Sequence, residues 1–518
     1  MTDRLCLTPA MLARPHASTV APPPAGRGGR SHDHRVGRDL SRAGLALASL
    51  LLAAPAAPAA AQRVPPADPA PYARAIAAGY KAAMVCSGIF TAGRTPAQVD
   101  ADELAGIYPE YDAIVPTLAA RIDRQQASVE VPYDPAMPPR RASWHELTGC
   151  TTEPIGSAPG PVMVTDIVTD QHPTPGSPRL IAGPPSRPGP GPADPRRWPL
   201  GDAGIAPHPS SALAAAIGRA VGGGYGAGAK TTGVVILRDG QVAAERYAAG
   251  WGPFISNRTW SVGKSIAGTL IGLAGVDAGD GLAVQRSGLL PQWRRADDLR
   301  GSIKLDHLLR MASGLHSDTA GNRTDAIYFG GTAVEEQAPA WPLNHQPGTH
   351  FRYANDDILL AMLAMRQAVG DGDYRLLPPR LFGRLSMAHT TAGVDPHGNY
   401  IISSQIWSTA RDLARLGQFW LQDGVWQGQR LLPEGWVRYM TTPSGPQPAS
   451  GPGYGATMWL FGPAQGLPAG SYAAQGNRGQ YVMVVPSEHL VVVRRGEDPG
   501  AARFDIARFT ADVIAAGR

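Results

Sequence analysis

The strongest constraint on the fold is a pair of β-hairpin signals that lie far apart in the chain. Apolar runs at residues 233–238 and 241–247 flank Asp239-Gly240, a dipeptide that favours a tight turn between antiparallel strands. A second pair of runs, at residues 479–485 and 490–494, lies near the other end. Strands at both ends with helices between them predict an α+β fold. Its antiparallel sheet is built from both ends of the domain and flanked by helices, and a helical subdomain is inserted.

Helical periodicity occupies much of the remaining chain. It predicts helices in these segments: 72–84, 101–107, 211–220, 303–311, 356–369, 408–421, 433–440 and 502–516. A further helix follows Ser261 and carries apolar residues at helical spacing: Val262, Ile266, Leu270 and Leu273. It also contains four glycines, each of which lowers helix propensity by up to ~1 kcal/mol: Gly263, Gly268, Gly272 and Gly275. We therefore expect a buried helix, held by tertiary packing, with other backbone packed closely against its glycines.

The start of that helix, Ser261-x-x-Lys264, suggests chemistry. One helical turn separates the two residues, so both side chains lie on the same face. An unprotonated amine on Lys264 could take the proton of the Ser261 hydroxyl, as in a serine acyl-transfer enzyme. The alternative is that Ser261 only begins a solvated helix.

Residues 1–61 have the features of a leader with a secretory signal peptide. An apolar run at residues 43–54 follows three arginines, Arg35, Arg38 and Arg42, and small residues at 59–61 predict cleavage after Ala61. The run is short for a bilayer span, and no later stretch reaches transmembrane length. We expect a periplasmic or secreted protein with no stable membrane span after leader removal. Residues 1–34 either result from a start codon assigned too far upstream or are a genuine extension of the protein.

Removal of the leader would discard Cys6 and leave Cys86 and Cys150. An oxidising compartment favours a disulfide between these two cysteines. The alternative is a pair of buried free thiols, because sequence spacing does not establish proximity.

Composition divides the chain into four parts. After the leader, residues 62–153 form a small N-terminal region that contains the expected disulfide. Residues 154–210 form a linker or strap, because residues 173–199 contain ten prolines and such chain favours extended, solvated conformations. Residues 211–518 form the main domain.

Charge and ligand spacing argue against two kinds of partner. The net charge is +5, but residues 1–61 contribute +4 of it, so nucleic-acid binding loses its main support. His145-Glu146 begins like a metal-binding helix, yet Gly149 stands where the second histidine is needed. We predict no nucleic-acid partner, no metal and no cofactor.

Two further motifs follow Ser261-x-x-Lys264. Tyr353-x-Asn355 precedes an apolar helix, and Ala474-Gln475-Gly476 stands at the start of a predicted strand. In this order and on this layout, the three motifs resemble the β-lactamase-related serine hydrolases. That superfamily includes class C β-lactamases, DD-peptidases, related esterases and 6-aminohexanoate-oligomer hydrolases. The resemblance covers roughly residues 230–516 and implies a β-lactamase/DD-peptidase-like fold.

The resemblance also implies a role for each motif residue. Ser261 is the expected nucleophile, Lys264 the base that activates it, and Tyr353 a proton relay toward the leaving group. Asn355 is expected to orient the Lys264 side chain or a substrate amide. The oxyanion hole is expected at the backbone N–H of Ser261 and at a backbone N–H near Asn477, beside Gly476.

The third motif departs from the β-lactamase pattern. Where β-lactamases have Lys-Thr-Gly, and many relatives have His-x-Gly, this chain has Ala474-Gln475-Gly476. The cation that binds a β-lactam carboxylate is thus missing, and Arg478 is the candidate substitute. We therefore expect an amidase or esterase that acts on a small or peptide-like substrate, closest in pattern to the 6-aminohexanoate-oligomer hydrolases.

Alternatives remain for the function and for single residues. The function could be that of a penicillin-binding DD-peptidase or class C-like β-lactamase, or of a catalytically silent module that binds cell-wall fragments or peptides. Tyr353 could be a packing residue whose hydroxyl caps a neighbouring turn, and Asn355 could be a helix N-cap. Gly476 and Gly479 could only relieve crowding at a bulge.

Overall fold

The computed structural model describes residues 69–158, 193–317, 324–500 and 502–517. Within them the strands are β1 (Arg121–Asp123), β2 (Ser128–Val131), β3 (Arg140–His145), β4 (Gly149–Thr152), β5 (Thr231–Arg238), β6 (Gln241–Tyr247), β7 (Asn257–Arg258), β8 (Thr391–Ala392), β9 (Ile406–Ser408), β10 (Val425–Trp426), β11 (Gln429–Arg430), β12 (Gly453–Tyr454), β13 (Trp459–Phe461), β14 (Ser471–Gly476), β15 (Gln480–Val485) and β16 (Leu490–Gly496). The α-helices are α1 (Pro69–Cys86), α2 (Pro96–Val99), α3 (Ser211–Val221), α4 (Val262–Ala278), α5 (Leu305–Leu309), α6 (Asp325–Tyr328), α7 (Val334–Gln337), α8 (Asn355–Arg384), α9 (Ala410–Leu421), α10 (Trp436–Met440) and α11 (Ile506–Ala516).

A seven-stranded sheet combines strands from both ends of the predicted domain. Its neighbouring strands are antiparallel, in the order β12-β13-β14-β15-β16-β5-β6. The first predicted hairpin is confirmed: Asp239 (φ 49°) and Gly240 (φ 76°) join β5 to β6 with the positive φ angles of a type I′ turn. The second predicted hairpin, β15 with β16, is also confirmed. Because β16 pairs with β5, the two ends meet in one sheet, as expected.

Helices bury both faces of this sheet. In β16, Val491 and Val493 contribute to one core while Leu490 and Val492 contribute to the other, as the two-residue period of a strand requires. Helices α4 and α9 cover the first face, and α3 and α11 cover the second. Both faces being covered, apolar residues run continuously along the central strands. The architecture is α+β, as predicted.

Helix α4 is buried along most of its length, as its glycines predict. A Cβ on Gly263 would lie 2.3 Å from the carbonyl oxygen of Ile402, and one on Gly272 would lie 2.3 Å from the indole nitrogen of Trp436. No side chain fits at such distances, so close packing holds this glycine-rich helix in place. Helix α8 packs against α4 and is interrupted at Gly370, where φ is 79°.

The N-terminal region contributes a second, four-stranded antiparallel sheet, β1-β2-β3-β4, with α1 packed on it. Cys86, at the end of α1, forms the expected disulfide with Cys150 in β4, across a Cα separation of 6.1 Å. The Tyr80 ring of α1 also lies 4.9 Å, between ring centroids, from the Phe329 ring. The described residues all belong to one compact unit, and this region shares its core with the rest of them.

Several elements differ from the sequence prediction. Strands β1–β4 and β7–β14 were not predicted, and the expected helix at residues 101–107 is a single π-helical turn at Asp100–Leu104. The helix expected at 303–311 is shortened to α5. Ala474-Gln475-Gly476 ends strand β14, and a turn at Asn477–Gly479 leads into β15, whereas the sequence placed these residues at the start of one strand.

The predicted leader and residues 159–192 of the predicted linker lie outside the described residues. The boundaries of the four predicted parts therefore remain predictions. Of the helices that the structure describes, none has the length and hydrophobicity needed to cross a membrane.

Candidate active site

Ser261 stands at the first turn of α4, where the chain enters the helix from β7. Trp260, the residue before it, has a positive φ of 52°, which turns the backbone sharply into the helix. The Ser261 hydroxyl makes no capping hydrogen bond to α4, and its side chain is partly exposed. It is therefore not used to stabilise the helix start and is accessible to a substrate.

Lys264 is 1% exposed, and its amine has three neighbours. Nζ donates to Asn355 Oδ1 at 2.6 Å and to the Ser403 carbonyl oxygen at 2.9 Å, and it lies 3.0 Å from Ser261 Oγ. A neutral amine has two N–H donors and one lone pair. Because the two acceptors take the donors, the lone pair is left for the Ser261 hydroxyl. This geometry suits proton transfer from the serine to the lysine.

The surroundings of Lys264 favour its neutral form. Burial and the Arg258 charge lower the pKa of Lys264 to about 7, and Asp356 and Asp357 oppose this shift. A base must be unprotonated to act, so a pKa near neutrality keeps a large share of the amine available.

Tyr353 lies directly before α8 and beside the same amine. Lys264 Nζ is 5.0 Å from the centre of the Tyr353 ring. Burial raises the pKa of Tyr353 above its usual value, against the opposing effect of hydrogen bonds to the side chains of Ser261 and Trp459. The phenol therefore stays protonated at neutral pH. Its ring packs against Tyr454 and Trp459, at 6.0 and 5.4 Å between centroids.

Asn355 is the first residue of α8, and the N-cap position is Ala354. Its side-chain oxygen accepts the short hydrogen bond from Lys264 Nζ. The structure thus places Asn355 as a partner of Lys264, as the resemblance implied, and not as the helix cap that the sequence left open.

Gly476, at the end of β14, lies against the backbone of the nucleophile segment. A Cβ on Gly476 would lie 2.2 Å from the Thr259 carbonyl oxygen and 3.1 Å from the Ser261 backbone nitrogen. Its φ of −134° is ordinary, so glycine is needed here for space and not for a left-handed backbone. The absence of a side chain keeps the Ser261 N–H accessible at the strand end, where the oxyanion hole is expected.

These contacts join Ser261, Lys264, Tyr353, Asn355 and Gly476 in one site at the junction of the sheet and the helices. The beta-lactamase family model matches residues 173–515, about two thirds of the chain. The chain belongs to the beta-lactamase family. Proteins of this family are typically serine hydrolases, and this chain is a beta-lactamase-family serine hydrolase.

Individual relatives are distant. A 6-aminohexanoate-dimer hydrolase of Paenarthrobacter ureafaciens is 27% identical over 300 residues, which cover 52% of this chain and 73% of that protein. A solved beta-lactamase/D-alanine carboxypeptidase from Pseudomonas syringae is 13% identical, with a TM-score of 0.44 and coverage of 60% of this chain and 99% of its own. A class C beta-lactamase in complex with cefoxitin is 15% identical, with a TM-score of 0.43 and coverage of 59% and 98%.

Asn477 and Arg478 follow Gly476 in the beta-lactamase-family motif but have different environments. Asn477 is exposed, and its side-chain oxygen accepts from the Arg478 backbone N–H at 2.9 Å. Arg478 is only 8% exposed: its guanidinium donates to the carbonyl oxygens of Asp102, Glu497 and Asp498 and pairs with the Glu497 carboxylate. The structure does not bring Arg478 to the site, because hydrogen bonds to these acceptors keep its guanidinium buried in the protein interior. It therefore does not replace the cation missing at Ala474.

Three residues around the site were not singled out from the sequence. The Ser403 carbonyl oxygen accepts a hydrogen bond from Lys264 Nζ. The Trp459 indole lies beside the Tyr353 hydroxyl, and the charge of the Arg258 guanidinium lowers the pKa of Lys264. A backbone acceptor such as the Ser403 carbonyl has no side-chain signature. No group of three potential metal-ligating side chains is found in the described parts of the chain.

Proposed function

We propose that this chain is an exported serine amidase or esterase that acts through an acyl-serine intermediate. The observation that carries the proposal is the position of the Lys264 amine, 3.0 Å from Ser261 Oγ with both of its donors occupied by other acceptors. That arrangement gives the serine a base in the correct orientation.

In the acylation step, Ser261 Oγ attacks the carbonyl carbon of the substrate while its proton passes to Lys264 Nζ. The carbonyl oxygen gains a negative charge. The N–H groups of Ser261, at the start of α4, and of Asn477 are the donors expected to stabilise it. Asn355 and the Ser403 carbonyl keep the amine in place, so the proton transfer needs no rearrangement of the lysine.

Tyr353 then serves as the proton donor to the leaving group. Because its phenol is protonated at neutral pH, it can give its proton to the departing nitrogen or oxygen. The Lys264 ammonium supplies a proton back to the tyrosine. The bond between the carbonyl carbon and the leaving atom breaks, and an amine or alcohol departs. Water then attacks the acyl-enzyme, its proton returns through the same pair of residues, and the carboxylic acid leaves Ser261.

Four observations support an amide or ester substrate without a β-lactam carboxylate. Ala474 provides no cation, and Arg478 is held in buried ion pairs. The similar protein from Paenarthrobacter ureafaciens is named for hydrolysis of the 6-aminohexanoate dimer, which is an amide. The aromatic cluster of Tyr353, Tyr454 and Trp459 offers an apolar surface beside the nucleophile.

Export is proposed from the leader and the disulfide. The arginine-flanked apolar run before Ala61 has the organisation of a signal peptide, and the Cys86–Cys150 bond is of a kind that persists in oxidising compartments. A periplasmic or secreted location fits both.

A hydrolysis panel tests the proposal. The mature protein is assayed with 6-aminohexanoate dimer, p-nitrophenyl esters, D-peptides and nitrocefin, and Ser261→Ala is the control. We expect turnover of an amide or ester that is lost in Ser261→Ala, with little turnover of nitrocefin. Efficient nitrocefin hydrolysis would instead favour a β-lactamase. No turnover together with no covalent adduct would favour a silent binding module.

A further inference from the structure

Arg258 is a buried cation without a carboxylate partner among the residues described. It is 1% exposed, and no carboxylate oxygen of those residues lies within 4.0 Å of its guanidinium. Its donors reach neutral acceptors instead: Nη2 donates to Ser404 Oγ at 2.7 Å, Nε to the Ser404 carbonyl oxygen at 3.5 Å, and Nη1 to the Tyr108 hydroxyl at 3.3 Å. A buried charge normally has a counter-ion, so this exception calls for a reason.

Aromatic faces surround the cation in place of a carboxylate. The guanidinium carbon lies 3.8 Å from the centre of the Trp260 ring, and the Tyr328 and Phe329 rings lie at 5.7 and 5.9 Å. Such rings stabilise a cation without cancelling its charge. The positive field of Arg258 is therefore not neutralised by its immediate surroundings.

The same cation contacts the segment that holds the catalytic base. Arg258 bonds Ser404, and the carbonyl of the preceding residue, Ser403, accepts from Lys264 Nζ at 2.9 Å. The Ser403 hydroxyl is fixed in turn by the Tyr328 hydroxyl at 2.6 Å. Trp260, stacked on Arg258, is the residue directly before Ser261. Arg258 thus contacts both Ser404, next to the carbonyl that accepts from Lys264, and Trp260, next to the nucleophile.

The charges that act on Lys264 come from two elements, β7 and α8. From β7, Arg258 opposes protonation of the amine, whereas Asp356 and Asp357 on α8 favour it. Asp357 also accepts from Ser313 Oγ at 2.6 Å, and burial raises the pKa of its own carboxyl to about 7, which weakens its charge below that pH. On α4 itself, the facing group is the neutral Ser261 hydroxyl. Among the described residues, Arg258 is the cation whose charge opposes protonation of Lys264.

We propose that Arg258 is a positioning residue of this site: it fixes the segment at residues 403–404 against which Lys264 is held, and its uncancelled charge keeps the amine neutral. The inference rests on the proposed function, in which Lys264 is the base. It also accounts for the lack of a carboxylate partner for Arg258 in the described parts of the chain, because such a partner would cancel the field that acts on the lysine.

Lysine NMR tests this without any substrate. The chain has four lysines, Lys81, Lys230, Lys264 and Lys304, so selective ¹³C-lysine labelling gives a small set of ε-carbon signals, and Lys264→Arg assigns the one of interest. The midpoint of the Lys264 titration is measured in the wild type, Arg258→Met, Arg258→Gln and Arg258→Lys. Methionine fills a similar volume among aromatic rings, so it is the variant best suited to fold. Thermal unfolding verifies that each variant is folded.

We expect Arg258→Met and Arg258→Gln to raise the Lys264 midpoint by about one pH unit, since a neighbouring cation is lost. Arg258→Lys should leave it near the wild-type value, as should Tyr108→Phe, which removes one hydrogen bond but keeps the charge. The acid limb of acylation should move with the midpoint, so activity falls about tenfold at low pH and recovers at high pH. An unchanged midpoint in either folded neutral variant would overturn the inference.

The design separates this inference from the proposed function. If the Lys264 midpoint shifts as expected but Ser261 is never acylated, the proposed function fails and the effect of Arg258 on the amine stands. If Ser261 is acylated and Arg258→Met lowers the rate by the same factor at every pH, the arginine has only a structural role and the inference fails.

Discussion

At the scale of single residues, the environment of Lys264 favours the neutral form of its amine. Its amine is enclosed by Asn355, the Ser403 carbonyl and Ser261, so water cannot solvate the ammonium form. Because burial lowers the pKa of this lysine to about 7, the neutral base predominates above neutral pH and is lost as the pH falls.

The first prediction concerns this pH dependence. We expect kcat/KM for an amide or ester substrate to rise with pH and to have an acid limb with a midpoint of about 7, because only the unprotonated Lys264 accepts the serine proton. Lys264→Met should lower the acylation rate about 10²- to 10⁴-fold at every pH. Lys304→Met, which changes a lysine bonded to Gln285 at the surface, serves as the control and should match the wild type. A flat profile between pH 5.5 and 9, as measured by stopped-flow acylation, would contradict a lysine base.

A second residue-scale prediction concerns Gly476. In Gly476→Ala the new methyl group would meet the Thr259 carbonyl oxygen at 2.2 Å, so the end of β14 must move away from the Ser261 N–H. We expect acylation to slow about 10²-fold or more, the size of effect seen when an oxyanion-hole donor is lost. Gly462→Ala is the matched control, since φ is −177° there and no atom lies within 4 Å of the added carbon. Wild-type burst kinetics in Gly476→Ala would argue against an oxyanion hole at this strand end.

Sequence could predict the side chains of the site better than its backbone partners. Ser261, Lys264, Tyr353 and Asn355 stand in motifs whose spacing the fold preserves, and the structure brings them together. The Ser403 carbonyl has no sequence signature, because any residue supplies a carbonyl. Arg478 was placed near the substrate on sequence adjacency alone. Its side chain points inward because Glu497 and three carbonyl oxygens attract it.

At the scale of elements, the strands that could be predicted from the sequence are those joined by a recognisable turn. Asp239-Gly240 specifies a tight turn, and the apolar runs of β5 and β16 are long because both sheet faces are covered. Strand β3 lacked such a signal: it begins with Arg140 and Arg141, which are buried by pairing with acceptors elsewhere, as when Arg140 Nη2 donates to the Phe329 carbonyl at 2.8 Å. A strand whose buried residues are polar lacks the alternation of apolar and polar residues by which strands are predicted from sequence.

The disulfide gives an element-scale prediction. It joins the end of α1 to β4 across 64 residues of sequence, and loop-closure entropy assigns such a crosslink about 4 kcal/mol. We expect the double variant Cys86→Ser, Cys150→Ser to lose about 2–4 kcal/mol of unfolding free energy in urea, relative to the oxidised wild type. Wild-type protein treated with a reductant should reproduce that loss, whereas the double variant should not respond to the reductant. Equal urea midpoints for wild type and variant would contradict a stabilising role.

At the scale of the whole molecule, buried ion pairs tie the N-terminal region to the turn that follows Gly476. Arg94 pairs with Asp102 at 2.6 Å and with Glu103 at 2.8 Å, and the Asp102 carbonyl oxygen in turn accepts from Arg478. Arg478 also pairs with Glu497, next to β16. The N-terminal region therefore contributes directly to the structure that positions the strand end beside Ser261. No sequence pattern indicated this, because the hydrogen bond from Arg478 to the Asp102 carbonyl oxygen joins residues 376 positions apart.

Removal of the Arg94 guanidinium from these ion pairs is expected to destabilise the protein. Arg94→Ala leaves the carboxylates of Asp102 and Glu103 short of a buried partner, so we expect a loss of about 3–5 kcal/mol of unfolding free energy. Arg121→Ala, at an exposed position in β1, should cost less than about 0.5 kcal/mol. Urea unfolding compares the two. Similar midpoints for both variants would show that the network does not hold the regions together.

Fold class was predictable at this scale because the two hairpins fix a sheet made from both ends of the predicted domain. The packing of α1 against the segment around Phe329 could not be predicted. The sequence of the small N-terminal region does not indicate which surface of the main domain it packs against. The predicted leader stays a prediction.

The proposed function depends above all on Ser261 as the nucleophile and on Lys264 as the base that activates it. Peptide mapping by mass spectrometry after reaction of the mature protein with a serine-directed phosphonate tests this most directly. We expect a single phosphonyl adduct on Ser261, absent in Ser261→Ala and formed at least about 10²-fold more slowly in Lys264→Met. An adduct on any other residue would contradict Ser261 as the nucleophile, and undiminished labelling of Ser261 in folded Lys264→Met would contradict Lys264 as its base.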